Sequence, residues 1–340
     1  MATTFKSFLN DDVTSTRSLL HEAIPLTGTI VSGTYSDQNI KNYSHGMFQS
    51  VYDYPYLSSS ANHVFDITCG YSSVSALSGA SNEQNAKKIQ IYNQMAQILV
   101  GHDQDGNIQR FDADGDIIAG GTKMDEVYFV NLARLLTKDE IKKGSFSLSL
   151  GDGTNFYSPF STVQTITDAG AQNDYRVNSP AGEYSILSSS TGDQIGLLYY
   201  QAGVMVLTAS AFTGDFGNTQ EMNATAEGVV PLLTGSTIEN NADAFRHFVQ
   251  NVEFNNTTEL NSTIYFCRAN HNEFNYSANP TYLSSSKIVV KDTQIDSPVS
   301  YMTTVGLYSA DNELLAVAKL SEPLKKDPTN ELVLRVRLDY

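Results

Sequence analysis

Short runs of β-forming residues, separated by turn residues, make up most of the chain after Gly101. Asp-Gly pairs at 105–106 and 114–115 predict tight turns on either side of the short run 108–111. Further runs lie at 127–136, 146–150, 183–187, 195–200, 204–209, 263–268, 287–291, 299–308, 314–320 and 332–338. This spacing is typical of antiparallel strands. We therefore predict a mainly β fold of the α+β class, with sandwich-like antiparallel sheets and a few helices.

The N-terminal part carries two segments with helical periodicity, and we predict a long helix over each. The segment 11–24 starts with the possible cap residues Asn10, Asp11 and Asp12 and stops before Pro25. The segment 82–100 follows Ser81, which with Gln84 fits a capping box. Its apolar face is formed by Ile89, Tyr92, Ala96 and Leu99.

These patterns predict three regions. Residues 1–125 are a mixed α/β region, 126–262 a β-rich acidic domain, and 263–340 a C-terminal β module. Gly120-Gly121 interrupts the apolar pattern at the first boundary. The C-terminal module and the acidic domain can also form one unit.

Charge limits the partners of the chain. The net charge is −16, and residues 144–262 hold only Arg176 and Arg246 against 12 acidic residues. Such a surface repels phosphate backbones, so we expect no nucleic-acid partner. No apolar stretch approaches the roughly 18 residues of a membrane span, and the start MATTFKSFLNDD does not resemble a signal peptide. We therefore expect no membrane partner and synthesis in a cytoplasm.

Five aspartates between Gly101 and Asp116 are weak metal-ligand candidates: Asp103, Asp105, Asp112, Asp114 and Asp116. In an EF-hand alignment that begins at Gly101, the first position is glycine and the twelfth is Asp112 rather than glutamate. Both strongest calcium ligands are therefore missing. The pattern favours turns with solvated aspartates, and we expect no metal, no cofactor and no calcium dependence of folding.

Catalytic motifs are absent from the sequence. It contains no HxH, HExxH, CxxC or GxSxG pattern, and GDGTN at 151–155 lacks the lysine of a P-loop. We expect that the chain is not an enzyme. Paired carboxylates for glycan hydrolysis remain an alternative, with 19 tyrosines and no tryptophan to line a sugar cleft.

The last strand alternates strictly. Leu332, Leu334, Val336 and Leu338 share one face, while Val333, Arg335 and Arg337 share the other. Arginine pairs well with carboxylates at protein interfaces. We therefore predict an interface that meets an acidic neighbour, with these candidate residues: Lys325, Lys326, Arg335, Arg337 and Tyr340.

Two passages resemble a known class of proteins. They are VYFVNLARLLTKDEIKKGSFSLSL at Val127–Leu150, and Thr263–Tyr340 with VSYMTTVGLYSADNELLAVAKLSEPLKKD and LRVRLDY. They are similar to virion structural proteins of contractile-tailed, myovirus-type bacteriophages, especially cyanophages, over about a third of the chain. The best-fitting residues are Pro280, Gly306, Leu315, Ala316, Pro323, Asp339 and Tyr340.

The resemblance implies a structural subunit of the virion, in the tail or baseplate. Its partners would then be other tail and baseplate proteins and further copies of itself. The alternative is a virion-associated glycan-binding or glycan-hydrolysing protein of the tailspike or adhesin kind. That alternative predicts an acid-lined cleft with tyrosine walls, within residues 144–262.

Overall fold

The computed structural model describes residues 5–27, 38–79, 81–116, 120–152, 162–209, 237–276, 283–284, 287–288 and 298–340. Pro280, one of the residues of the phage resemblance, lies outside these ranges. Among the described residues, no helix is long and apolar enough to cross a membrane.

The described chain is mainly antiparallel β with few helices, which confirms the predicted class. The strands are β1 Val13–Thr27, β2 Ile40–Asn42, β3 Gln49–Tyr52, β4 His63–Tyr71, β5 Glu126–Leu132, β6 Glu140–Ile141, β7 Ser147–Asp152, β8 Thr162–Thr167, β9 Arg176–Ser179, β10 Gly182–Ser189, β11 Gln194–Tyr199, β12 Val204–Thr208, β13 Val249–Ala269, β14 Leu283–Ser284, β15 Lys287–Ile288, β16 Ser300–Tyr308, β17 Leu314–Lys326 and β18 Leu332–Asp339. The helices are α1 Glu83–Leu99, α2 Arg134–Thr137 and α3 Ile238–Phe248. A sandwich-like arrangement of the sheets stays a prediction.

The chain divides into two compact units. One unit joins Met1–Leu19 to Glu259–Tyr340, and the other is Leu20–Thr258. This division differs from the three predicted regions at residue 125, because β5 pairs along its whole length with β4. The pairing of β4 with β5 therefore joins residues before and after Gly120-Gly121, where the sequence pattern predicts a domain boundary.

The larger unit, Leu20–Thr258, is built on one antiparallel sheet. Its strand order is β13-β7-β8-β10-β11-β12-β5-β4-β3-β2, with β6 beside β13 and β9 beside β10. Helices cover both faces of the central strands. On one face, the ring of Phe245 in α3 stacks on Tyr128 of β5, with 5.1 Å between centroids. On the other face, α1 packs closely over Gly70 of β4.

Helix α1 confirms the prediction over 82–100 and corrects its cap. The side chain of Asn82, rather than Ser81, accepts a hydrogen bond of 2.8 Å from the amide of Asn85. Asn82 therefore satisfies one of the amides that a helix start leaves unpaired. The predicted face is buried at Tyr92, Ala96 and Leu99, and Ile89 packs partly buried against the core.

The long helix predicted over 11–24 is wrong. Residues 10–12 form one 3-10 turn, and residues 13–27 form β1 beside β13. Asp12 ends that turn by accepting the Leu9 amide at 3.0 Å and by pairing with Arg268. Pairing with a distant strand has overridden a weak local preference, and the run Val-Thr-Ser-Thr after Asp12 suits a strand better than a helix.

In the smaller unit, β18 lies antiparallel to the second half of β13, with Thr263 opposite Leu338 and Ala269 opposite Leu332. The predicted alternation of β18 is confirmed. Val336 is buried, and the three leucines on the same face, Leu332, Leu334 and Leu338, are half-buried. Val333, Arg335 and Arg337 on the other face are exposed. Strands β16 and β17 form a two-stranded ribbon, called here the ribbon, that pairs with no other described strand.

Candidate functional site

The structure separates the two lysines that the sequence predicts at an interface. Lys325 is exposed and pairs with Asp327 at 3.2 Å. Lys326 is completely buried, and its Nζ donates to Oδ1 of Asn275 at 2.7 Å and to the carbonyls of Asp327 and His271 at 2.9 and 3.3 Å. The prediction for Lys326 as a surface contact is therefore wrong. The odd-numbered face of the strand is exposed, and the even-numbered face points inward at this position.

The other three interface candidates lie at the surface of the smaller unit. Arg335 and Arg337 project from the exposed face of β18. Nε of Arg337 already contacts Oδ1 of Asp339 at 2.6 Å, and its Nη2 lies 3.0 Å from Oγ of Ser262. Tyr340 is exposed, but its amide donates to the Asn261 carbonyl at 2.8 Å. Arg335 thus offers its charge at an exposed position of β18.

The ribbon presents an apolar surface that the sequence analysis missed. Leu315 is 68% exposed, Val317 56% and Tyr301 53%, and Leu314 and Tyr308 are exposed as well. The signal was present in the run Leu-Leu-Ala-Val-Ala at 314–318, which has no polar residue between its apolar ones. Such a run is typical of a strand covered on both faces. Here much of it is open to solvent.

The five candidate aspartates fall into two groups. Asp105 is exposed and Asp103 is half-buried. Asp103 accepts hydrogen bonds from the amides of Asp105 and Asn107, and the Asn107 amide is the main cause of the lowered pKa of Asp103. That turn agrees with the prediction of solvated aspartates. Asp112, Asp114 and Asp116 instead bring one carboxylate oxygen each within 4.8 Å of one another. In the sequence DADGD, an aspartate stands at every second position. This alternation indicates that the three carboxylates can lie close together, and an EF-hand alignment does not detect it.

Asp112 is the buried member of this second group. It is 3% exposed, and one of its carboxylate oxygens pairs with Nζ of Lys123. Burial raises its pKa, although the Lys123 ammonium acts in the opposite direction. Its Oδ1 accepts no hydrogen bond from the described residues. A buried carboxylate oxygen without a hydrogen-bond donor lowers the free energy of unfolding. The hydrogen-bonding capacity of Asp112 is therefore only partly used.

A second polar cluster lies on β3 and β4. Asp66 accepts hydrogen bonds from Oγ of Ser50 and, at 2.8 Å, from Nε2 of His63. That hydrogen bond is the main cause of the raised pKa of His63. The ring of Tyr52 lies 5.6 Å from that of His63, and the hydroxyl of Tyr43 lies 3.2 Å from Oγ of Ser50. Aromatic faces beside a carboxylate are suited to contact with a sugar.

The described part of residues 144–262 does not form the tyrosine-walled cleft of the glycan alternative. Tyr184, Tyr199 and Tyr200 are buried in the core. A concavity of about 260 Å³ is lined by Asp174 together with small and polar residues such as Gly170 and Gln194. Its volume lies below the roughly 300–1,000 Å³ of most small-molecule sites.

No protein-family model, curated protein or solved structure matches this chain. The likeness of residues 127–150 and 263–340 to phage virion proteins therefore remains a prediction.

Proposed function

We propose that this chain is a structural subunit of a bacteriophage virion, in the tail or baseplate of a contractile-tailed particle. The observation that carries the proposal is the exposed apolar surface of the ribbon, within the passage that resembles virion proteins. The proposed partners are other tail and baseplate proteins and further copies of this chain. The proposed location is the virion, and the proposed role is assembly without catalysis.

The exposed apolar side chains of the ribbon favour a covering neighbour for a physical reason. A two-stranded antiparallel hairpin is marginally stable in water by itself, because it cannot bury an apolar face. Burying a leucine or valine side chain that is now exposed contributes about 1.5–3 kcal/mol. Leu315 and Val317 therefore gain substantially from a covering protein. A sheet from a neighbouring subunit would cover them and complete a sandwich-like arrangement.

Exposed basic residues of the smaller unit favour an acidic partner at the rim of the proposed interface. Stable interfaces have an apolar centre, few charges there and a polar rim. The exposed Lys325 and Arg335 provide positive charge on the smaller unit. Opposite charges on a partner orient the encounter more than they raise the affinity. An acidic neighbour is therefore the preferred partner.

The test is incorporation into particles. Mass spectrometry of purified phage particles, with tail and baseplate fractions separated, is expected to find the chain at a fixed copy number in one fraction. The double variant Leu315→Ser/Val317→Ser is expected to fold but to be incorporated at least about tenfold less, since two buried apolar side chains are lost. Leu135→Ser is the control, because Leu135 is an even more exposed leucine, at 80%, but lies on α2 in the other unit.

Absence of the chain from purified particles would reject the proposal. Equal incorporation of the ribbon variant and the Leu135→Ser control would show that the ribbon is not the docking surface. Circular dichroism of each variant separates an assembly defect from a folding defect.

A glycan-binding role is the second candidate, and the cluster on β3 and β4 is the observation that favours it. Tyr52, His63 and Asp66 place two rings and a carboxylate on half-exposed surface. Titration calorimetry with purified bacterial surface polysaccharide tests this role. Binding that is lost in Tyr52→Ala but kept in Tyr54→Ala, an exposed tyrosine of the same segment, would support it. No heat with the wild-type chain would reject it.

A further inference from the structure

We propose that Asp112, Asp114 and Asp116 form a binding site for one divalent cation, with calcium as the preferred ion. The sequence alone favoured solvated turns and no metal. Two observations beyond the presence of three acidic residues support the site: the unpartnered buried oxygen of Asp112, and the convergence of two carboxylates beside Gly121.

The first observation concerns Oδ1 of Asp112. The residue is 3% exposed, and this oxygen accepts no hydrogen bond from the described part of the chain. The other carboxylate oxygen already pairs with Lys123. Buried carboxylate oxygens are usually satisfied by donors or by a metal. Oδ1 is therefore directed into the cluster in the manner of a ligand.

The second observation is the position of Gly121. A Cβ atom added there would lie 2.5 Å from Oδ2 of Asp114 and 2.6 Å from Oδ1 of Asp112. The two oxygens thus converge on one point, which glycine leaves free of a side chain. Gly121 also has φ +63°, a conformation that other residues rarely adopt. The chain passes close to both carboxylates without blocking them.

The spacing of the oxygens fits calcium. Calcium binds oxygen at about 2.3–2.6 Å, so two ligands on opposite sides of the ion are about 4.6–5.2 Å apart. The three carboxylates offer oxygens that all lie within 4.8 Å of one another, so one coordination sphere can hold them. Magnesium requires shorter bonds of about 2.0–2.1 Å and a stricter octahedron. Waters would supply the remaining ligands.

The local charge also favours a divalent ion. Asp112, Asp114 and Asp116 carry three negative charges when ionised, and Lys123 compensates one of them through its pair with Asp112. The carboxylates of Asp112 and Asp114 lie close together in a partly buried place, and a divalent cation between them offsets their mutual repulsion. The ammonium of Lys123 places positive charge beside the proposed ion, and this charge weakens calcium binding.

The chain contains a matched control for a test. Asp105-Gly106 and Asp114-Gly115 are two Asp-Gly turns, with glycines at φ +84° and +70°. Only Asp114 belongs to the cluster. Asp105→Asn and Asp114→Asn therefore remove the same charge from the same kind of turn, inside and outside the proposed site.

The experiment is titration calorimetry of the full chain with calcium chloride after treatment with chelator. We expect one calcium ion per wild-type chain, at least about tenfold weaker binding in Asp114→Asn, and unchanged binding in Asp105→Asn. The melting temperature should rise with calcium in the wild type and in Asp105→Asn only. Absence of calcium binding by the wild type, or equal weakening in both variants, would overturn the proposal.

Terbium luminescence keeps the test independent of variant folding. The hydroxyl of Tyr184 donates to the carbonyl of Gly115 at 3.0 Å, so a tyrosine adjoins the proposed site. Terbium added to the wild-type chain should luminesce on tyrosine excitation and lose this signal when calcium is added. A signal that calcium does not displace would count against the site.

Discussion

The Nζ atom of Lys326 donates a hydrogen bond of 2.7 Å to Oδ1 of Asn275, and both residues are buried. The same ammonium also donates to the carbonyls of His271 and Asp327. It therefore joins the last residue of β17 to the loop that follows β13. Burial lowers the pKa of Lys326, while the nearby carboxylate of Asp327 opposes that change.

Replacing Lys326 with methionine is expected to destabilise the protein. The methionine keeps the length of the side chain but leaves Asn275 and two carbonyls without their donor, at a cost of about 1–3 kcal/mol. Urea denaturation should show the lower free energy of unfolding. Lys325→Met is the control, since a surface ion pair contributes only about 0–1 kcal/mol. Equal effects of the two variants would contradict the role assigned to the buried lysine.

Gly70 is expected to tolerate no side chain. A Cβ atom there would lie 2.6 Å from the carbonyl oxygen of Lys88 and 3.0 Å from the amide nitrogen of Tyr92, so α1 would have to move away from β4. Overpacking of this kind costs about 1–3 kcal/mol. Gly79→Ala is the control, because no atom lies within 4 Å of its added Cβ. Thermal denaturation should show a loss for Gly70→Ala alone.

His63 is expected to give a pH dependence of stability. Its hydrogen bond to Asp66 raises its folded pKa above the ordinary value of about 6.5. The protonated pair therefore stabilises the fold fully below about pH 6.5, and this contribution is lost as the pH rises through the folded pKa. An NMR titration should show the raised pKa, and Asp66→Asn should lower it. Asp53→Asn removes a nearby carboxylate that bonds Asn62 instead, and should leave it unchanged.

The outward arginines of β18 are expected to act in assembly and not in folding. The double variant Arg335→Ser/Arg337→Ser should unfold at nearly the parental temperature, since exposed ion pairs contribute little. It should be incorporated into particles less than the parent, and the difference should shrink at high salt as screening weakens the parental contact. Assembly equal to the parent at low and high salt would place the docking surface elsewhere.

The sequence correctly predicts those helices and strands in which the spacing of apolar residues matches the face that is buried in the structure. Helix α1 combines a cap at Asn82 with a face through Tyr92 and Leu99, and the sheet buries that face. Strand β18 alternates in sequence and in burial. The β1 segment shows the limit, because its identity depends on pairing with β13, a contact that spacing within residues 11–24 does not encode.

The candidate sites were predictable to different degrees. The outward direction of Arg335 follows from alternation alone. The burial of Lys326 does not, because it depends on Asn275 and on a loop far away in sequence. The convergence of Asp112 and Asp114 beside Gly121 likewise requires the chain to return after Asp116. These contacts join residues that are distant in sequence, so a short sequence motif cannot predict them.

The smaller unit is formed by two segments, Met1–Leu19 and Glu259–Tyr340, which precede and follow the larger unit in sequence. During translation, its N-terminal segment must wait until residues 20–258 have left the ribosome. Closing so long a loop is slow, because its entropy must be lost before the contacts form. The ribbon and β18 are therefore the last parts to mature. A chain truncated before Ser300 lacks the ribbon and β18, and under the proposed function it therefore lacks the surface that would join it to a particle.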